Sequence, residues 1–419
     1  MGVISCGTTM LDQGQFQNLP VVNWQTGSIK TSGFTATSGE GYFCNTSGGA
    51  FTVTLPASPS AGNIVAVKDY ANTFDTNTLT IGRNGSNIGG LAVDSSLQTE
   101  GLAVTLIYVD ATKGWLVVSS GLQDEAPGPA FVAATGGTIT TSGDYKIHTF
   151  TSPGTFCVSN AGNAAGSNAV DYLVVAGGGG GGASTGPNRR GGGGAGAGGF
   201  RETAGCGYTS SPLGACVAAL PVSATGYPIT VGAGGAGGTG ANKGANGSNS
   251  IFTTITSTGG GGGTLGGFSG HPSCQYVGQP GGSGGGLGST SGATRTEGAG
   301  NTPPVSPSQG FPGGGPRPCG DYLAGNGGGG ATAAGSPLQG VPGTPNFNGG
   351  AGGAGATTNI TASPVTYAVG AQGGDWNSTG PSAAGGANTG TGGAGSGAGG
   401  DADGSAGGSG IVVIRYKFQ

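Results

Sequence analysis

The side chains best able to perform acid–base chemistry in this sequence are three carboxylates near its end. They are Asp375, Asp401 and Asp403. Two carboxylates that face each other across one site can hydrolyse a glycosidic bond, so these residues are candidates for a polysaccharide-cleaving activity. Asp401 and Asp403 could instead bind Ca²⁺, but that ion takes about six to eight oxygen ligands. We therefore interpret the pair as solvating a turn, and we predict no metal site and no cofactor.

Only two histidines are present, His148 and His271, so a Ser-His-Asp site would have to use one of them. His148 lies beside Ile147 in an alternating segment, and this position predicts a solvent-facing structural residue. His271 precedes Pro272 in a loop, where hydrogen bonding or receptor contact is favoured over catalysis. With no catalytic constellation around either residue, we predict that the protein is not an enzyme.

Five aromatic residues lie in insertions rich in Gly, Ser, Asn and Pro, where a hydrophobic core would not need them. These candidates for receptor contact are Tyr208, Phe268, Tyr276, Tyr322 and Trp376. Exposed aromatic side chains on a rigid scaffold are typical binding anchors, because they offer a large contact area at little entropic cost. The alternative is that each ring covers an end of the scaffold as part of a small satellite core.

Composition excludes several classes of partner. Charged residues make up 7% of the 419 residues and the formal net charge is −4, so no basic surface is expected for nucleic acid or an acidic membrane. No apolar run of about 18 residues occurs, which predicts no membrane insertion. The seven cysteines form no C-x-x-C pair, and a zinc site is not expected. Cys206 and Cys216 are near enough in sequence to form a disulfide, which spacing alone does not decide.

Four regions are predicted along the chain. Residues 1–24 carry scattered apolar residues without a period, which is typical of an attachment segment that orders on a partner. Residues 25–122 contain short alternating segments such as Phe51–Leu55, separated by turn residues, and predict a small β module. A Pro-containing linker is expected at 123–130, followed by a glycine-rich domain at 131–419. The predicted fold class is all-β.

The glycine-rich domain holds most of the chain's glycines, since 79 of the 103 lie in residues 171–419. No strict Gly-X-Y register persists, which argues against a collagen triple helix. Rows of glycine spaced by three match the turn of a polyproline-II-type helix, which makes no internal hydrogen bonds. Such polyglycine-II-like segments must therefore bond laterally to one another. The apolar segment Ile411–Tyr416 is predicted to be a central strand that pairs with the strand around Tyr172–Val175.

Two parts of the sequence resemble virion proteins. The run Gly143–Phe156, the segment Val170–Gly177, the glycine blocks and the run Gly408–Tyr416 resemble, in that order, the glycine-rich domain of bacteriophage tail-fibre and adhesin proteins. The segments Tyr42–Cys44 and Val53–Gly62 look like a β module that recurs in virion fibres of marine phages. Many long fibres carry coiled coils or β-helices, and neither pattern is visible in this sequence.

The resemblance implies a tail or capsid fibre of a virion, assembled in the host cytoplasm as a homotrimer. Residues 1–24 would attach it to other virion proteins, and the glycine-rich domain would contact a host-surface glycan or an outer-membrane receptor. In related adhesins, polyglycine-II helices form the scaffold and the loops between them read the receptor. We expect the insertions at 205–226, 268–281, 302–347 and 356–382 to cluster at one end or edge of the domain. Two alternatives stay open: a polysaccharide-depolymerising tailspike, and an ice-binding or bacterial surface-filament protein.

Overall fold

The computed structural model is all-β, as the sequence predicts. It describes residues 3–5, 8–10, 22–121, 130–163, 166–186, 190–205, 207–214, 217–268, 272–291, 295–316, 323–339, 348–376, 378 and 383–419. Among these residues the only helices are short 3-10 helices at Pro212–Gly214 and Ser273–Tyr276. The chain divides into two compact units, Met1–Gly128 and Pro129–Gln419. All but the last residue of the predicted linker at 123–130 falls outside the described ranges.

The first unit is built from short strands. They are β1 (Val3–Ser5), β2 (Thr8–Met10), β3 (Asn23–Trp24), β4 (Phe34–Thr35), β5 (Glu40–Cys44), β6 (Phe51–Thr54), β7 (Ile64–Asp69), β8 (Leu79–Gly82), β9 (Ser95–Leu97), β10 (Ala103–Asp110) and β11 (Gly114–Gly121). β1 and β2 form an antiparallel pair. The other strands form two sheets, in the orders β11-β10-β7-β5-β3 and β4-β6-β8-β9.

From β3 to β8 successive strands alternate between the two sheets, and each pairs in parallel with the strand two places before it. The chain therefore coils like a short parallel β-solenoid, a pattern that the sequence did not reveal. The two sheets enclose a core of apolar side chains that includes Leu55, Val67, Ile81 and Trp115. The predicted alternation of Phe51–Leu55 is visible in this core, because Val53 and Leu55 are fully buried.

The second unit contains fifteen strands among its described residues. They are β12 (Val132–Thr135), β13 (Thr138–Ser142), β14 (Tyr145–Phe150), β15 (Gly154–Ala161), β16 (Ala169–Val175), β17 (Phe200–Glu202), β18 (Leu220–Pro221), β19 (Gly226–Thr230), β20 (Ser250–Phe252), β21 (Ile255–Ser257), β22 (Gly267–Phe268), β23 (Thr290–Ser291), β24 (Ala356–Thr358), β25 (Val365–Tyr367) and β26 (Ile411–Lys417). The two larger sheets have the orders β13-β14-β26-β16-β17 and β12-β15-β19-β20-β21, and β18 pairs with β16.

The predicted closure of this unit by its last strand is confirmed. β26 pairs antiparallel with β16, so that Val412 lies opposite Val174 and Ile414 lies opposite Tyr172. On its other side β26 pairs with β14, a partner that the sequence did not indicate. Ile411–Tyr416 is buried on both faces, because β26 lies between two strands and has a side-chain cluster on each face of its sheet.

Beyond β16 the chain forms extended glycine segments that bond to one another through the backbone. The backbone N–H groups of residues 177–184 donate to three neighbouring segments in turn. Residues that are three apart in the sequence donate to the same neighbouring segment. The acceptor segments are 193–196, 242–248 and 402–408. The carbonyl groups of residues 177–184 accept with the same repeat from 235–238, 260–266 and 393–396. Such a repeat of three with lateral bonding in several directions is the arrangement expected of polyglycine-II-like helices.

Side chains are excluded from this lattice by the close approach of neighbouring backbones. A Cβ added to Gly182 would lie 1.8 Å from the carbonyl oxygen of Thr264, and one added to Gly180 would lie 1.9 Å from that of Ala236. Neither contact can be relieved by turning a side chain, because the opposing atom belongs to the backbone. Glycine is therefore required here by proximity.

The lattice has two ends. We call the end next to β16 and β26 the strand end, and the opposite end, where Ser184 bridges Gly266 and Ala402, the far end. Segments run back and forth between them: 191–199, for example, runs antiparallel to 177–184, because Gly179 donates to Gly196 and Gly182 donates to Gly193. Residues 185–190 therefore connect the two segments at the far end.

Candidate functional site

Parts of three of the four insertions that were predicted to bind a receptor lie at the far end. The segment 258–266 runs toward the far end and the chain then returns antiparallel to it, because Leu265 donates to Gln275 and Gln279 donates to Gly262. The segment 368–376 also reaches the far end, where Gly374 donates to Gly192. The insertion at 205–226 and the hairpin β24–β25 lie instead at the strand end, where Asn359 donates to the Thr209 carbonyl. The four insertions therefore do not cluster at one end of the lattice, whereas their predicted clustering along one edge stays a prediction. The insertion 302–347 contains lattice segments of its own, so parts of it lie at both ends. The end at which a connection lies depends on the direction of the segments that it joins, which the sequence does not indicate.

The predicted anchor Tyr276 lies at the far end but is not exposed. Only 1% of its surface is accessible, and it packs against Ala183 and Leu265 with Ala241 nearby. The expectation of an exposed ring is wrong for this residue, which forms the satellite core that was the alternative. Because the glycine lattice has no side chains of its own, an aromatic ring at the end of a segment fills space that nothing else can fill.

Trp376 also lies at the far end and is partly buried. It packs against Ala324 and Leu338, so its ring covers the lattice and still reaches solvent. The backbone of Phe268 belongs to β22, which pairs in parallel with β23. Tyr322 lies outside the described residues, as do His271, Cys206 and Cys216.

The three candidate carboxylates hold turns of the far end. Asp401 accepts from the backbone N–H of Gly186 at 2.7 Å, and Asp403 accepts from that of Gly240 at 3.1 Å. Asp375 accepts from the N–H of Gly349 at 2.6 Å. Within the described part of the chain, no three side chains of the metal-binding types come together. The interpretation of these carboxylates as turn residues fits their bonding.

The strand end contains a pocket of about 500 Å³ between the β13–β14 hairpin, the 205–226 insertion and the β24–β25 turn. Its lining includes Ser142, Tyr208, Thr209, Asn359 and Arg415. It therefore includes one of the five predicted aromatic candidates, Tyr208. Tyr208 is partly buried, and its hydroxyl donates to the Thr203 carbonyl at 2.7 Å.

Arg415 of β26 forms the base of this strand-end pocket and is only 2% exposed. Its guanidinium lies over the rings of Tyr145 and Tyr208, with the central carbon 4.4 Å and 5.5 Å from their centroids. It donates to the carbonyl of Gly207 at 2.8 Å and to that of Ile360 at 3.4 Å. Its Nε has no hydrogen-bond partner. Among the described residues, Arg415 has no ion pair.

Two buried carboxyl groups lie on the neighbouring strands. Asp171 is opposite Arg415 across the β16–β26 pair and accepts from the Thr203 hydroxyl at 3.1 Å. Glu202 of β17 accepts from the N–H of Ser211 at 2.9 Å. Burial raises the pKa of both carboxyl groups, because the charged form is poorly solvated there. The charge of Arg415 acts in the opposite direction on Asp171 and lowers its pKa, so these two side chains interact electrostatically across the strand pair.

A family model described as a glycine-rich domain matches residues 150–417. The chain belongs to this glycine-rich domain family. The match starts at the end of β14 and includes β26, so it covers the lattice and most of the strands that close it. No curated protein matches the chain. Among the described residues, no helix has the length and apolar character needed to cross a membrane.

One residue of the glycine-rich domain was misplaced by the sequence argument. His148 was predicted to face solvent, but it is fully buried. Its Nδ1 lies 2.7 Å from the carbonyl oxygen of Gly136 and its Nε2 lies 3.1 Å from the hydroxyl of Tyr416. The prediction is wrong because β14 is covered on both faces, so that Ile147 and His148 are both buried even though they point in opposite directions.

Arg415 is the residue of the strand-end pocket that sequence reasoning missed. It was included in the apolar terminal strand without a role of its own. A signal was present in the sequence, because a charged residue within the otherwise apolar run Ile411–Tyr416 must either leave the core or find partners inside it.

Proposed function

We propose that this protein is a phage virion structural protein, a tail or capsid fibre that attaches to the host surface through loops of its glycine-rich domain. The proposal rests on the resemblance to tail-fibre and adhesin proteins and on one structural observation: a lattice held by backbone bonds whose segments are joined by side-chain-bearing loops. Glycine has no side chain with which to discriminate between ligands, so specificity has to come from the connections.

The far end is the better candidate for the receptor-contacting surface. The connections 267–276, 316–322, 340–347 and 376–382 join their segments there. Apart from the buried Tyr276, three of the five aromatic candidates fall in these connections: Phe268, Tyr322 and Trp376. Because the segments that carry the connections are fixed by backbone bonds, a loop can change its sequence at little cost to the scaffold. That property suits a protein that must follow a changing host surface.

Loop replacement on the purified protein tests this assignment. Residues 340–347 are replaced by a Gly/Ser segment of equal length, and Trp376→Ala is made separately. Fluorescently labelled variants are then applied to a panel of bacterial strains and to purified lipopolysaccharide and capsular polysaccharide. We expect one or both changes to abolish binding that the unaltered protein shows. The loop replacement should leave thermal unfolding unchanged, whereas Trp376→Ala should lower the unfolding temperature because it removes packing against Ala324 and Leu338.

The control replaces residues 56–61, an exposed loop of the first unit, in the same way. Binding that is lost in this control and kept in both far-end variants would make the glycine-rich domain a spacer and the proposal wrong. Release of reducing sugar from a polysaccharide would favour the depolymerase alternative. Gold-labelled antibodies against the chain should decorate phage particles, and decoration of bacterial surfaces alone would contradict a virion origin.

We also propose that the protein forms a homotrimer that binds other virion proteins through residues 1–24. Support comes from β11, which is the outer strand of its sheet. Val117 and Val118 on this strand are each 55% exposed, and apolar outer strands are surfaces that other chains cover. Light scattering at micromolar concentration should give the mass of a trimer, and Val117→Lys should lower it. A stable folded monomer would exclude the trimer.

A further inference from the structure

Arg415 in the strand-end pocket is a buried cation that forms no ion pair with any described residue, although Asp171 on the neighbouring strand acts on it electrostatically. Burying a charge is costly unless an opposite charge or a full set of hydrogen bonds compensates it. The described residues provide Arg415 with two carbonyl acceptors and two aromatic rings but no ion pair. No acidic residue lines the pocket. A bound anion would supply a counter-charge in direct contact with the guanidinium.

The rest of the lining is suited to hydroxyl groups. Ser142, Thr209 and Asn359 each present a hydroxyl or an amide at the pocket. Within the described part of the chain, none of these three side chains makes a hydrogen bond. Hydroxyl and amide groups both donate and accept hydrogen bonds, as sugar hydroxyls do. The volume is in the range of pockets that hold small molecules, roughly 300–1,000 Å³.

We propose that the strand-end pocket binds an acidic sugar, with the carboxylate against Arg415 and the ring hydroxyls against Asn359, Thr209 and Ser142. One guanidinium matches the single charge of a carboxylate and can bind both of its oxygens. This site lies at the end of the lattice opposite to the proposed receptor-contacting loops, and it does not depend on their function.

Titration of the full chain with hexuronic acids and their neutral counterparts tests the proposal. Galacturonic and glucuronic acid are each compared with galactose and glucose by isothermal titration calorimetry. The members of each pair differ only in having a carboxylate or a hydroxymethyl group. We expect at least one acid to bind about tenfold more tightly than its neutral partner, and to raise the unfolding temperature of the glycine-rich domain.

Asn359→Ala should weaken binding of that acid about tenfold without lowering the unfolding temperature, because Asn359 is partly exposed and its side chain supports no other described residue. Thr366→Ala, on the exposed face of the same β24–β25 hairpin, is the matched control and should bind as the unaltered protein does. Arg415→Gln should remove the preference for the acid. If Arg415→Gln fails to fold, Asn359→Ala still decides the outcome.

Three results would overturn the proposal. The first is that neither acid binds more tightly than its neutral partner. The second is that Asn359→Ala and Thr366→Ala bind the acid equally well. The third is that inorganic phosphate displaces the acid at equal concentration, which would indicate a general anion site in place of a sugar pocket.

Discussion

The two units of this protein solve the problem of burial in different ways. The first unit encloses large apolar side chains such as Leu55, Phe74 and Trp115, each fully buried between two sheets. The lattice of the second unit buries peptide groups instead, and its segments approach so closely that a Cβ would strike a backbone oxygen. Side-chain cores derive stability mainly from the hydrophobic effect. The lattice has to satisfy every peptide group through its neighbours.

This difference has a consequence for robustness. An apolar core tolerates changes of similar volume, since side chains can rearrange. A backbone lattice cannot rearrange in this way, and it starts from the most flexible residue in the unfolded chain. The glycine-rich domain therefore needs a frame, which the sheet around β26 and its two side-chain clusters provide at the strand end.

The largest effect is expected from removing that frame. Deleting residues 411–419 takes away β26, which pairs with both β14 and β16. The glycine-rich domain should then unfold or aggregate, while the first unit keeps its own unfolding transition. Calorimetry and limited proteolysis of the truncated chain measure the loss of the glycine-rich domain and the retained transition of the first unit. Unchanged unfolding and protease resistance after residue 143 would show that the lattice is stable without its frame.

A single methyl group inside the lattice should have the next largest effect. Gly182→Ala places a Cβ against the Thr264 carbonyl oxygen, whereas a Cβ on Gly400 meets nothing within 4 Å. Overpacking an ordinary core costs about 1–3 kcal/mol, and we expect a greater loss at Gly182 because rigid backbone opposes the change. Gly400→Ala should leave the free energy of unfolding within about 1 kcal/mol. Equal stabilities, measured by denaturant titration, would contradict a lattice held by close backbone contact.

A core substitution in the first unit tests the stability of a side-chain core, in contrast to the backbone lattice of the second unit. Leu55→Ala removes a fully buried side chain and should lower the stability of that unit by about 2–5 kcal/mol. The transition of the glycine-rich domain should not move. A substitution of Val118, which is 55% exposed, by Ala is the control and should change little. If Leu55→Ala shifted both transitions together, the two units would not be independent in stability.

The smallest effect is expected from lowering the pH. Burial lowers the pKa of His148 below its ordinary value of 6.5, and the charge of Lys146 acts in the same direction. The unfolded chain therefore binds a proton more readily than the folded chain. The contribution of His148 to stability is complete above pH 6.5 and decreases as the pH falls toward the folded-state pKa.

The hydrogen bonds of His148 explain why the neutral ring is preferred. Nδ1 must carry a proton to donate to Gly136, so Nε2 is left to accept from the hydroxyl of Tyr416, which itself accepts from Ala134. Asp171 and Glu202 act with the opposite sign, since a raised pKa makes stability fall as the pH rises through their range. His148→Gln should reduce the change in the free energy of unfolding between pH 7.5 and pH 5.5. An unchanged slope in this variant would exclude His148 as its source.

Much of the fold was predictable from local sequence patterns. The spacing of glycine by three indicated polyglycine-II-like segments, and the apolar runs at 172–175 and 411–416 indicated the strands that close the domain. The position of His148 and the burial of Tyr276 were not predictable in this way. Both depend on what covers a strand or a segment end, and those covering residues are distant in sequence.

The sequence by itself determined that this chain is all-β and that most of its second unit has no side-chain core, because composition and period fix which conformations each segment can adopt. The tertiary structure decided which segments are neighbours and at which end each insertion lies. It also decided that Arg415 is buried beside a pocket lined by no acidic residue and forms no ion pair among the described residues. Every residue other than proline offers the same backbone donor and acceptor. The sequence of a lattice held by backbone hydrogen bonds therefore does not indicate which segments pair.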